Sequence, residues 1–387
     1  MQYCTVGCKR LHPNEAEAKP TQSRRPRRQG RTVATIHDVA AQAGVSVATV
    51  SRVLNGKEVV REETLRQVLA AAETLHYVPN VAARSLSIRR SHTVGIVLPD
   101  VHGEFFSEVI RGIDVAARHA GYHILVSGSH SDVGEMLEVL GAMRGRVDGL
   151  VVMAPDVAHA SLHRSLPTDL PLVLLNSTDD GRDAITIDNY GGAQAMMRHL
   201  AGLGHVHIAF VKGPAQNADA RERLRGFRHA MRGLGVTATR RLELAGDFTE
   251  ESGHAAALKI LTLAPRPTAL FAANDSMAVG ALAALAEAGV AVPGEMSVAG
   301  FDDIPIARYV APPLTTIRVD IADLGRRAFS LLLGAIEQPQ PPATTGRRDC
   351  IATTLIVRKS SCSPAIHTTT SARPDRKLRG RKKGEES

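Results

Sequence analysis

Tryptophan is absent from the 387 residues, and aromatic residues make up only 3% of the chain. That leaves a thin stacking surface, so any ligand the protein holds is expected to be small and polar. The four cysteines (Cys4, Cys8, Cys350 and Cys362) sit near the two ends and form no evident disulfide framework, which fits a reducing, cytoplasmic setting. Cys4, Cys8 and His12 have a loosely metal-like spacing, but no fourth ligand is close by, and no metal site is expected. No apolar run reaches the roughly 18 residues of a membrane span, and the N-terminus lacks the apolar core of an export signal. A membrane protein and an exported solute-binding protein are therefore not expected. Also missing are a strand-borne G-x-G-x-x-G, a G-x-x-x-x-G-K-[ST] loop, a G-x-S-x-G elbow and an H-E-x-x-H pair. His205-x-His207 and His159-x3-His163 have ligand-like spacing without an acidic or thiol companion. Neither an enzyme nor a cofactor is expected.

Positive charge is plentiful and unevenly spread. The formal net charge is +8. Residues 1–31 carry eight Lys/Arg against two Glu, and residues 371–387 carry seven against three acids. The segment 32–90 is also basic, whereas 91–370 is mildly acidic. A basic end attached to an acidic body points to nucleic acid at one end and another task in the body. Residues 1–32 are expected to be a disordered basic extension, and 359–387 a disordered basic tail. Nothing before Val33 looks foldable, so translation is expected to begin close to it.

The richest stretch runs from Thr35 to Leu86. Thr35 is placed to cap a short helix in which Ile36, Val39, Ala40 and Ala43 recur at helical spacing, with Asp38 three residues after the cap. Gly44 stops that helix. Ser46 opens a second one with Val50 and Val53 facing inward, and Asn55-Gly56 ends it. Two short helices around a Gly-containing turn make a helix-turn-helix, whose second helix reads the major groove of double-stranded DNA.

The string AAQAGVSVATVSRVLNG, followed by a third helix and then YVPNVAARSL, resembles the headpiece of the lactose/galactose repressor (LacI/GalR) family of bacterial transcription regulators. The likeness is nearly gapless over some fifty residues and extends from about Val33 to Val357. It implies that Val47 and Ala48 meet base edges by apolar contact and that Arg52 reaches a guanine or a phosphate. Thr35, Ser46, Thr49, Ser51 and Asn55 are expected on phosphates. Pro79 to Leu86 matches the family's hinge helix. There Asn80 is a cap or phosphate contact, Ala83 allows two hinge helices to approach, and Leu86 is the wedge at a central minor-groove step.

Beyond Thr93 the chain alternates Val/Ile/Leu runs such as TVGIVLP, GLVVMAP and ALFAAND with amphipathic helices. Continuous apolar strands separated by helices predict parallel sheets covered on both faces, doubly wound, in two lobes. The resemblance implies the type I periplasmic-binding-protein fold, with chain crossings expected near Asn189, Arg318 and Gln338. The expected domains are a helix-turn-helix unit over 33–79, a hinge over 80–91, and a two-lobe effector-binding and dimerisation domain over 92–358.

Polar groups at strand ends would then face an interlobe cleft. Phe105 and Phe106, Arg223, Asn274 and Asp302 match effector-contacting positions of the family, Phe248 is placed to stack on the ligand, and Asp275 is expected to cap the helix from Ser276. Planar Arg, Asn and Asp groups suit hydroxyl-rich ligands. Two features depart from the family pattern: Gly103-Glu104 before the aromatic pair, and Arg318-Val319 after TTI. The expectation is a homodimeric, DNA-binding regulator, most readily a repressor, controlled by a small sugar-like effector.

Overall fold

The computed structural model describes residues 34–54, 60–77, 90–157, 166–177, 181–234, 242–338 and 346–364. The chain divides into two compact units, an N-terminal headpiece and a large body.

In the headpiece, α1 (Ile36–Ala43), α2 (Val47–Leu54) and α3 (Glu62–Thr74) surround a small core of Val39, Ala40, Val50, Val53, Val68 and Ala71. None of these six is larger than valine, so the helices must approach closely. Gly44 closes α1 with φ of 66°, a left-handed turn that a Cβ would strain.

The body holds two six-stranded sheets. The first has the order β11-β5-β4-β3-β1-β2, from β1 (Thr93–Leu98), β2 (His123–Gly128), β3 (Gly149–Met153), β4 (Leu172–Leu175), β5 (Asp183–Ile187) and β11 (Arg348–Ile351), and all of its pairings are parallel. The second has the order β12-β10-β9-β8-β6-β7, from β6 (Ile208–Val211), β7 (Glu243–Leu244), β8 (Ala269–Ala272), β9 (Ser297–Asp302), β10 (Thr315–Arg318) and β12 (Thr354–Ile356). Only its β10–β12 pair is antiparallel. Helices α4 (Glu104–His119), α5 (Val133–Met143) and α10 (Ile321–Glu337) pack on the first sheet. The second sheet carries α6 (Asn189–Gly202), α7 (Ala218–Gly233), α8 (Glu250–Leu261) and α9 (Asp275–Glu287). Their central strands are buried on both faces, as the apolar runs require.

The chain crosses between lobes at Asp188–Asn189, at Val319–Asp320 and at Ala352–Thr353. The first two match expectation. The third is displaced from the expected Gln338, because after α10 the chain stays with the first sheet and pairs β11 with β5 before leaving it. The burial pattern of β11 is three exposed residues and one buried, so it lacks the apolar run that marks the central strands.

The body also extends past the expected end at 358. Ser360 is fully buried, its hydroxyl accepting from Thr315 N at 2.8 Å and donating to Val298 O at 2.6 Å. The Cys362 carbonyl lies 2.8 Å from His205 Nε2. A Ser-rich stretch reads as a tail, yet here its hydroxyls satisfy strand ends.

Candidate functional site

Side-chain caps fix the starts of α1 and α2 in the headpiece. Thr35 N and Oγ1 both donate to Asp38 Oδ2 at 2.8 Å, and these bonds, the backbone one foremost, hold the Asp38 carboxyl below its usual range. Ser46 Oγ accepts from Thr49 N at 3.1 Å and lies 2.9 Å from Thr49 Oγ1. Thr35 and Ser46 therefore serve as caps in the protein alone, and Thr49 is the residue that Ser46 caps. Val50 and Val53 point inward, which turns Ser46, Ala48 and Arg52 outward as exposed residues. Val47 and Ser51 are half-buried, and Val47 packs against the headpiece core. Asn55, Asn80, Ala83 and Leu86 lie outside the described residues.

In the body, the strand ends gather a buried polar network around Arg223, which is 3% exposed on α7. Its Nε donates to Asn189 Oδ1 at 2.8 Å, Nη1 to the Ala273 carbonyl at 2.6 Å, and Nη2 to Asp302 Oδ1 at 2.9 Å. The guanidinium lies 3.9 Å from the Phe301 ring centroid. Asn189, at the first crossing, also donates through Nδ2 to Asp219 Oδ1 at 2.7 Å. Burial raises the carboxyls of Asp219 and Asp302 to about 6 despite the nearby Arg223, which acts in the opposite direction. Asp302 has φ of 109°, so the chain turns sharply where β9 ends.

The network thus joins two expected residues, Arg223 and Asp302, to two that sequence reasoning missed, Asn189 and Asp219. A third missed residue is Asn176, directly after β4. It is 3% exposed with φ of 50°. Its amide lies near Asp219 and favours the charged carboxyl, but neither amide atom has a partner at hydrogen-bonding geometry among the described residues. Asn176 ends the apolar run LPLVLL just as Asn274 ends its own, so the same strand-end logic could have found it.

The remaining expected residues fall into two further groups. Asn274 is the N-cap of α9, accepting from Met277 N at 3.0 Å while donating to the Phe248 carbonyl at 2.9 Å. Asp275 is therefore not the cap. It is fully buried, accepting from Thr316 Oγ1 at 2.5 Å and Ile304 N at 3.0 Å, and burial foremost raises its pKa strongly. The Phe248 ring fills the space beside Gly213, where a Cβ would lie 2.4 Å from it. Phe105 and Phe106 meet edge to face at 5.6 Å in the first turn of α4. No hydrogen bond or ring contact among the described residues links that pair to Arg223.

Hydrogen bonds join the lobes near the cleft. Ala218 N donates to Pro155 O at 2.9 Å, and Ile306 N donates to Glu104 Oε2 at 2.9 Å. A separate groove of about 430 Å³ runs beside the second crossing, walled by Arg111, Asp303, Arg308, Tyr309, Arg318 and Asp320. None of the expected effector residues lines it. Arg318, one departure from the family pattern, is committed there to Asp303 at 2.7 Å. Among the described residues no cluster of three potential metal ligands occurs, and no helix is long and apolar enough to cross a membrane.

Residues 35–80 match the family described as bacterial regulatory proteins, lacI family, and residues 197–361 match a periplasmic binding protein-like domain. The chain is 36% identical over 349 residues to the HTH-type transcriptional regulator GalR of Escherichia coli K12, covering 89% of this chain and all of GalR. It is 36% identical over 333 residues to the transcriptional repressor PurR of Haemophilus influenzae, covering 85% and 98%. Among solved structures, a lac repressor dimer bound to operator and an anti-inducer superposes with a TM-score of 0.77 at 30% identity, over 85% of this chain and 99% of that one. A complex of the regulator CelR with cellobiose gives 0.63 at 31%, over 85% and 100%. These relatives are regulators rather than enzymes. With a headpiece and a two-lobe body in the same order as a relative matched along its whole length, the protein belongs to the LacI family of bacterial transcriptional regulators.

Proposed function

We propose that the protein is a cytoplasmic, homodimeric repressor that binds a pseudo-palindromic operator and releases or grips it according to a small, sugar-like effector held between its lobes. The observation that carries this reading is the presence of two separate sites on one chain. One is an outward-facing α2, with Ala48 and Arg52 exposed. The other is a cleft network with the unsatisfied Asn176 amide beside it. Val47 and Ala48 meet bases by apolar contact, and Arg52 supplies a charged hydrogen bond. On binding DNA, the hydroxyls of Thr35, Ser46, Thr49 and Ser51, with Asn55, touch phosphates. The hinge residues Asn80, Ala83 and Leu86 enter the minor groove at the operator centre.

The effector sits with Arg223, Asp302, Asn274 and the Phe105, Phe106 and Phe248 rings, and Asn176 and Asp219 join them. The groove beside Arg318 is the weaker candidate, because its charged groups are largely paired with one another. A ligand that favours one lobe arrangement changes operator affinity, and by linkage the operator changes ligand affinity equally.

Selection of sites from a random DNA pool by the purified full chain tests the reading. The expected result is a pseudo-palindrome of two short half-sites about a central pyrimidine–purine step such as CG. No enrichment, either alone or with added cell-extract metabolites, would overturn it.

A further inference from the structure

We infer that Asp148 and Arg90 are positioning residues for operator binding: they clamp the point where the chain enters the body, and so set the half-site spacing that the dimer accepts. The inference rests on the reading of the protein as a dimer on a two-half-site operator.

Asp148 lies directly before β3, and its carboxylate meets three donors on two consecutive residues. Oδ1 accepts from Ser91 N at 2.6 Å and from Ser91 Oγ at 2.9 Å, and Oδ2 accepts from His92 N at 2.9 Å. All three donors belong to the residues just before β1. The sheet does not depend on them. Its backbone already joins Asp148 N to Thr93 O and His123 N to His92 O, each at 2.8 Å. The Asp148 side chain is therefore committed to the entering chain rather than to strand register.

Other ties converge on the same residues. Arg90 Nη2 donates to the Ile336 carbonyl, in the last turn of α10, at 3.2 Å. The His92 ring lies 5.3 Å from that of Tyr122, which meets Phe329 of α10 edge to face at 5.9 Å. That helix is a firm anchor, because a Cβ on its Gly325 would come within 2.4 Å of the Val109 carbonyl of α4. His92 itself has φ of 49°, a left-handed conformation that a side-chain-bearing residue holds only where its surroundings enforce it. The N-terminal unit ends at Arg84, so only residues 85–89 separate it from Arg90. So short a connection has little length in which to absorb slack at its body end.

Spacing is where such a clamp would show. Inserting one base pair between half-sites turns one of them by roughly 35° relative to the other. A fixed exit resists that turn, whereas a loosened one follows it, with the base contacts of each headpiece unaltered.

The test measures the affinity of the full-length protein for its selected operator, and for the same operator with one base pair inserted or removed between the half-sites. Fluorescence anisotropy gives the affinities, and thermal melting checks the fold of each variant. The wild-type protein is expected to prefer the selected spacing by roughly a hundredfold. Asp148→Ala should narrow that preference to roughly tenfold or less, with discrimination against a mutated half-site unchanged. Asp148→Asn keeps one acceptor but turns an NH2 group toward the donors, and should fall between the two. Ser91→Ala and Arg90→Ala each remove one tie, should narrow the preference less, and decide the matter if Asp148→Ala fails to fold. A lowered melting temperature with an unchanged spacing preference would make the contacts merely structural and overturn the inference, while the operator reading survives. No spacing preference in the wild-type protein would overturn both.

Discussion

The headpiece and the cleft are built on opposite principles. The described headpiece buries only small apolar side chains and turns its polar groups outward, and no polar residue among those described is buried there. The cleft instead draws Arg223, Asp302, Asp275, Asn189 and Asn176 almost wholly out of solvent. A surface that must meet DNA can keep its polar groups at the water boundary, where several of them cap its helices. The cleft, proposed as the effector site, holds its groups in fixed, desolvated geometry, where each unsatisfied atom is costly. A change of charge in the headpiece should therefore alter recognition with little effect on folding. In the cleft the same change should disturb both.

The largest expected effect is on the cleft ion pair. Asp302→Ala leaves the Arg223 guanidinium buried without its carboxylate, and the body is expected to lose about 3–5 kcal/mol of stability, measured by urea unfolding. Asp302→Asn keeps an acceptor for Arg223 and should cost less, which separates the role of shape from that of charge. A loss below about 1 kcal/mol for the alanine variant would mean that the pair is not truly desolvated.

pH sharpens the contrast next, because the two regions respond with opposite sign. Asp219 and Asp302 rise from 3.8 to about 6 on folding, so the folded body binds more protons between those values. Its stability should fall by a few kcal/mol as pH rises from about 4 to about 6 and level off above. Asp38 is lowered on folding, so its contribution to the headpiece is present at neutral pH and is lost as pH falls through its depressed value. Hydrogen exchange read separately in α1 and β9 should show the two trends diverging.

Smaller again is Gly44→Ala, which places a Cβ at φ of 66° and should cost the headpiece about 1 kcal/mol while leaving the body unchanged. Arg52→Ala should have the least effect on stability, within about 0.5 kcal/mol, yet abolish specific operator binding. Retained operator affinity in that variant would break the comparison at its headpiece end.

The sequence by itself determined everything that depends on neighbours a few residues apart. Thr35 with Asp38, Gly44, and the valines of α1 and α2 specify the headpiece through local spacing. The buried Val/Ile/Leu runs specify the strands, and their polar ends mark where a cleft must lie. Tertiary structure alone decided the matters that join distant residues. The Arg223 bonds reach 34, 50 and 79 positions along the chain, and Asp275 is fixed by Thr316 from 41 positions away. No periodicity encodes such separations, so Asp219 went unnoticed, Asn189 was expected only as a crossing and not as a cleft residue, and Asn274, not Asp275, proved to be the cap. The third crossing and the bound segment through Pro364 escaped for the same reason. The exposed β11 and the hydroxyls of Ser360 and Ser361 acquire their roles only from the strands folded against them.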